Sequence, residues 1–171
     1  MQDEKKSSNA WKTISGILAV LLLISIFTNG FGGTGIGKTS TDSQSSFKLH
    51  ENEICAIDGK PIIRLFSTTW CPHCQWISET YENVVKEYGD KIVAYHWELD
   101  VGDDTLTEEI ENEIPIEELS VYKEFNPSGS IPTFVFGCKH SRIGNGYEDE
   151  GNQGLIREEA EFRLIIEELL R

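Results

Sequence analysis

Cys71 and Cys74 stand in the segment Trp70-Cys71-Pro72-His73-Cys74, a Cys-x-x-Cys spacing that lets two sulfurs be joined or parted with little backbone movement. The chemistry such a pair can do is thiol–disulfide exchange. Its sequence context makes the spacing informative, because a strand-like run leads into Cys71 and a helical pattern follows it. That places Cys71 at a helix N-terminus, where unpaired N–H groups and the helix dipole favour a thiolate. Cys74 falls one turn inside. The expected division of labour is Cys71 as nucleophile and Cys74 as the thiol that resolves a mixed disulfide. Pro72 sits where the missing N–H costs nothing. His73, between the sulfurs, can donate to the Cys71 thiolate or pair with it when protonated, which would make the disulfide a better oxidant. Trp70 would offer an apolar contact beside them.

The elements that must hold these groups are legible from periodicity. Lys60 to Ser67, rich in β-branched and aromatic residues, reads as a buried strand. Ile77, Tyr81, Val84, Val85 and Tyr88 recur with a helical period that stops near Gly89. Ile92 to Leu99 predicts a second strand, Ile116 to Phe125 a helix, and Thr133 to Phe136 a third strand. Lys139 to Tyr147 predict a fourth strand, and Leu155, Phe162, Ile165, Ile166 and Leu169 mark a closing amphipathic helix. That order implies an α/β sandwich whose sheet mixes parallel and antiparallel pairs. Residues 101–114 read as an acidic, solvated insertion with a short helix.

Trp70-Cys71-Pro72-His73-Cys74, together with Ile131-Pro132-Thr133 before a strand, resembles the thioredoxin superfamily over residues 47–171. The resemblance implies a thioredoxin-like three-layer α/β/α sandwich with a central mixed sheet. It also implies a cis Pro132 lying against the cysteines, and a substrate groove shaped by Trp70, Pro72, Ile131 and Thr133. The Pro-His dipeptide is similar to that of periplasmic disulfide oxidases of the DsbA type, although the spacing after Leu99 leaves no room for their large helical insertion. It therefore favours an oxidase or isomerase of exported, cysteine-containing polypeptides, with an extracytoplasmic reductase, for example in cytochrome c maturation, as the alternative. Leu65 stands where the family carries a buried acid. Either Glu98, His96 or water assists deprotonation of Cys74, or no dedicated base exists.

Cys55 precedes the first strand and Cys138 ends the third, so a disulfide between them could pin the N-terminal segment to the sheet; two buried thiols are the other reading. Zinc held by Cys71 and Cys74 with Cys55, Cys138 or His140 is disfavoured because only one close pair exists. A redox-inactive, membrane-tethered interaction module is a third possibility. Nothing in the pattern calls for a cofactor or a resident metal.

Upstream, Ile14 to Phe31 is uncharged and dominated by Ile, Leu, Val and Phe. Its 18 positions reach roughly 27 Å, near the ~30 Å of a hydrocarbon core. Lys5, Lys6 and Lys12 precede it, so the positive-inside bias puts residues 1–13 in the cytoplasm, residues 14–31 across the membrane as a single N-terminal transmembrane helix, and the catalytic domain outside; a cleaved signal peptide with Ile17 to Phe27 as its apolar region is the other reading, and it also exports the domain. Residues 32–46 read as a flexible linker. Within them Gly32-Gly33-Thr34-Gly35-Ile36-Gly37-Lys38-Thr39 matches the phosphate-loop pattern, but no strand delivers it and a polar Ser/Thr tract follows, so it reads as coincidence. The chain carries a net charge of −14, with residues 1–40 positive and the rest strongly acidic, which excludes nucleic acid as a partner. The expected partners are exported polypeptides, an unidentified membrane or soluble redox partner, and the lipid bilayer.

Overall fold

The computed structural model describes residues 45–171; the cytoplasmic segment, the transmembrane anchor and most of the linker expected above lie outside these residues. Among the described residues no helix is long and apolar enough to cross a membrane.

The central strand, β3 (Lys60–Ser67), is buried along nearly its whole length because it is covered on both faces. It pairs in parallel with β4 (Val93–Glu98) and antiparallel with β6 (Thr133–Phe136). Two short strands, β1 (Lys48–Leu49) and β2 (Ala56–Ile57), precede it, and β5 (Asp103–Asp104) and β7 (His140–Ile143) complete the set. The sheet order is β1-β7-β6-β3-β4-β5, with β2 paired to β3 off this path. The mixed sheet follows from the connections. The crossover through helix α1 (Pro72–Tyr88) makes β3 and β4 parallel, while the tight turn after Phe136 makes β6 and β7 antiparallel.

Strand alternation divides the core. Ile63 and Leu65 point to the face packed by α1 and by α3 (Asn152–Leu169), where Ile77, Tyr81, Val84, Phe134, Phe136, Phe162 and Ile166 are buried. Phe66, on the other face, packs with Trp97, Val135 and Tyr122 of α2 (Ile116–Phe125). Helices on both faces of one sheet make three layers. Each fully buried Phe or Ile contributes about 1.5–3 kcal/mol.

Arginines of the sheet reach acids of the helix layers on both faces. Arg64 of β3 makes a bidentate pair with Glu118 of α2 at 2.7 and 2.8 Å. Arg142 of β7 meets Glu158 and Glu161 of α3 at 2.5 and 3.2 Å, with its guanidinium over the rings of Phe47 and Phe134 at 4.6 Å.

Several expectations need correction. Ser45 and Ser46, assigned to the linker, are fastened to α3: Ser45 Oγ, Ser46 N and Ser46 Oγ all donate to Glu161. Residues 101–114 hold no helix and are not merely solvated. They turn back to pair β5 with β4, and buried Asp104 accepts from the backbone N–H groups of His96 at 2.8 Å and Leu106 at 3.2 Å. The strands β1 and β2 were not expected; each has only two residues, too few to show alternation. β7 ends at Ile143, earlier than Tyr147, because the chain beyond it peels off toward α1 and α3.

Candidate active site

The C-terminal ends of β3 and β4 lie side by side, with Leu99 N–H bonded to Ser67 O at 2.9 Å. From there Thr68, Thr69 and Trp70 carry the chain to α1. Asp100, the second residue past β4, holds this turn by accepting from Thr69 N and Thr69 Oγ1 at 3.0 and 2.5 Å. Those two bonds keep the Asp100 carboxyl below its ordinary range. Gln75 closes the turn from the helix side through its amide to Thr69 O at 2.7 Å.

Cys71 is the N-cap of α1, in extended conformation with φ −81° and ψ 116°, and Pro72 opens the helix. Its sulfur accepts from Cys74 N at 3.3 Å, so the atom that caps the helix is the atom expected to react. Both cysteines are free thiols and buried, Cys71 4% and Cys74 1% exposed. Burial, reinforced by the hydrogen bond to Cys71, pushes the Cys74 thiol up to about 12. Cys74 thus stays protonated near neutrality and needs a proton acceptor before it can attack. Trp70 is 69% exposed beside this buried pair, an apolar plate facing water.

Ile131–Pro132 is a cis peptide. The pairing of Thr133 with Phe66 brings Pro132 to the same end of the sheet as Cys71. Thr133 itself is fully buried and points inward, where its hydroxyl donates to Ser130 O at 2.8 Å and accepts from Asn126 Nδ2 at 2.7 Å. It supports the Pro132 loop from beneath, whereas Ile131 is half-buried at the surface.

His73 is where geometry departs most from expectation. No hydrogen bond joins it to Cys71. Its Nδ1 lies 2.8 Å from both carboxylate oxygens of Glu148, and its backbone oxygen accepts from Asn145 Nδ2 at 2.9 Å. The same Asn145 amide donates to Glu148 Oε2 at 2.9 Å. The loop bearing both residues is held from below: Glu158 accepts from Gly146 N and Tyr147 N at 2.6 and 3.0 Å, and Gly144 N donates to Pro132 O at 2.8 Å.

His96 is also differently placed. It is buried with Nε2 2.9 Å from Ser67 Oγ and Nδ1 within 3.0 Å of Glu82 and 2.7 Å of Thr105, so both ring nitrogens are occupied away from Cys74. The carboxylate whose charge reaches Cys74 is Asp100. Glu98, the other base considered, has its carboxyl raised by burial first. Leu65 is wholly buried in the apolar layer.

Cys55 and Cys138 form a disulfide, with Cα atoms 5.4 Å apart. They are therefore not available to complete a zinc site with Cys71 and Cys74, and His140 is turned toward Glu168.

Sequence reasoning missed Asp100, Asn145 and Glu148. Asp100 carried a signal, since it follows directly on the strand whose end abuts the cysteine turn. Asn145 and Glu148 lie more than 70 residues from His73, and only the folded chain brings them to it.

The arrangement can exchange a disulfide at a buried, helix-capping sulfur next to an apolar plate. A family model described as Thioredoxin matches residues 42–145. No curated protein matches the chain.

Proposed function

The chain belongs to the thioredoxin family, and from that premise we propose that it exchanges disulfides with cysteine-containing polypeptides outside the cytoplasm, through Cys71 and Cys74. The observation that carries the reading is the Cys71 sulfur capping α1 with the Cys74 thiol one turn behind it. In the oxidising direction a substrate thiolate attacks Sγ of Cys71 in the Cys71–Cys74 disulfide. The S–S bond breaks, and Cys74 departs with the electron pair and takes a proton. A second substrate thiolate then attacks the substrate sulfur of the mixed disulfide, forming the substrate disulfide and releasing the Cys71 thiolate. Two electrons pass from substrate to protein. The reverse sequence reduces a substrate, and there Cys74 must lose its proton, to water or another base, to resolve the intermediate.

Trp70, Pro72, Ile131 and Pro132 form the groove for an extended substrate segment, and Thr133 supports it. Direction is set by reduction potential, about −120 mV for a strong oxidant and about −270 mV for a reductant. The Pro-His pair between the cysteines favours oxidase or isomerase action. The contact of His73 with Glu148 favours the alternative, an extracytoplasmic reductase, because it occupies the group that would stabilise the thiolate.

We also place residues 14–31 across the membrane, with residues 1–13 cytoplasmic. The Lys-flanked apolar run supports this, as does the Cys55–Cys138 disulfide, a bond that persists in oxidising compartments.

The test is an insulin-reduction assay with variants. Cys71→Ser should abolish turnover, and Cys74→Ser should accumulate mixed disulfides visible on non-reducing gels. Full turnover by Cys71→Ser would refute the mechanism.

A further inference from the structure

The loop after β7 delivers one acidic side chain to the residue between the two cysteines, and its construction goes beyond a chance surface contact. Arg142 is 4% and Glu158 0% exposed at the side chain, and they meet at 2.5 Å under the loop. The other oxygen of Glu158 takes the backbone N–H groups of Gly146 and Tyr147. Gly154, at the start of α3, lets Tyr147 O come where a Cβ would stand 2.0 Å away. This seating presents Asn145 and Glu148 to α1. Asn145 spans from His73 O to Glu148 Oε2, fixing the carboxylate, and both carboxylate oxygens then face Nδ1 of His73. In the same acidic turn Glu150 is taken up by Arg157. Glu148 is turned to the site.

We propose that Glu148, oriented by Asn145, is a positioning residue that sets the redox poise of the Cys71–Cys74 pair by sequestering His73. This rests on the dithiol reading above. An imidazole stabilises the Cys71 thiolate by aiming an N–H at it or by bringing positive charge near it. Glu148 counters both effects. It engages the Nδ1 of the ring, and whatever proton the ring carries, the His73–Glu148 pair bears one unit less charge than His73 alone. A less stabilised thiolate means a less stabilised reduced form, hence a weaker oxidant. The Cys-Pro-His-Cys segment by itself would be read as strongly oxidising; in this chain its histidine is held in check.

The experiment equilibrates the full chain with glutathione redox buffers and counts reduced and oxidised Cys71–Cys74 by alkylation and mass spectrometry. Wild type, Glu148→Gln and Glu148→Asp are compared, and Glu148→Gln is repeated in a His73→Ala background. Glu148→Gln should shift the equilibrium three- to tenfold toward the reduced form, tenfold being about 30 mV for two electrons. Glu148→Asp should stay nearer wild type. In the His73→Ala background the same substitution should move the equilibrium less than twofold, a coupling that a merely structural role for Glu148 would not produce. Equal shifts in both backgrounds, or none in either, overturn the proposal while leaving dithiol exchange intact. If wild type forms no Cys71–Cys74 disulfide at any glutathione ratio, the exchange reading itself fails, and this proposal with it.

Discussion

Cys74 offers a consequence of burial that can be measured without a substrate. Its thiol, ordinarily at 9.0, stands at about 12 in the reduced fold. Between those values the unfolded chain has released the proton and the folded chain still holds it. Because the unfolded state then binds fewer protons, stability falls as pH rises through that window, and the effect is absent below it. The urea midpoint of the reduced protein should therefore decline from about pH 9 upward more steeply than that of the Cys71–Cys74 disulfide form, in which no thiol titrates. Other groups raised by burial, such as Tyr81, are common to both forms and cancel in the comparison. Parallel curves for the two forms would show that Cys74 is not desolvated as described. At this level Cys71, His73, Cys74 and Pro132 could be picked out along the chain because short-range spacing identifies them. Glu148 could not. An isolated acid in an acidic stretch carries no mark of the partner it meets across the fold.

The elements show where periodicity speaks and where it is silent. α1, α2, β3 and β6 are long or apolar enough to display their period, and the expected spans match closely. β2 lacks that length, yet its hairpin carried a different signal: Asp58 and Gly59 both take positive φ, 51° and 77°, between Ile57 and Lys60. An Asp-Gly pair that joins two short runs favours this primed turn. The acidic run at 101–114 misled because charge implies exposure, whereas Asp104 is 2% exposed and serves as an acceptor for backbone N–H groups. Replacing it with Ala should orphan two such groups and lower stability by about 1–3 kcal/mol in all, read as a lower urea midpoint. Asp104→Asn keeps an acceptor oxygen and removes a charge that burial disfavours, so it should lose less. A second prediction concerns α3: Gly154→Ala must displace Tyr147 O, costing about 1–3 kcal/mol in stability. It should also loosen the loop that carries Glu148, so its glutathione equilibrium should move in the same direction as that of Glu148→Gln.

Across the whole domain, the Cys55–Cys138 disulfide ties the segment before the first long strand to the turn between β6 and β7. It closes a sequence separation of 83 residues. A crosslink of that span restricts the unfolded chain strongly, and the chain-entropy argument assigns it roughly 4–5 kcal/mol. The turn it joins is itself constrained: Gly137 and Cys138 have φ of 59° and 56°, and Lys139 N returns to Phe136 O at 3.1 Å. Cys138 thus occupies a left-handed conformation that costs a side-chain-bearing residue roughly 1–2 kcal/mol. The disulfide offsets this cost. Its removal should accordingly depend on what replaces Cys138. Cys55→Ala with Cys138→Ala loses the crosslink and keeps the backbone cost, whereas Cys55→Ala with Cys138→Gly loses the crosslink but also sheds that cost. Both should unfold at lower urea than wild type, the Gly variant about 1 kcal/mol more stable than the Ala variant. Both should retain Cys71–Cys74 exchange, because the bridge lies on the opposite side of β6 in sequence from Pro132 and holds the scaffold without handling electrons. Loss of exchange in two variants that remain folded would make the bridge part of the redox path.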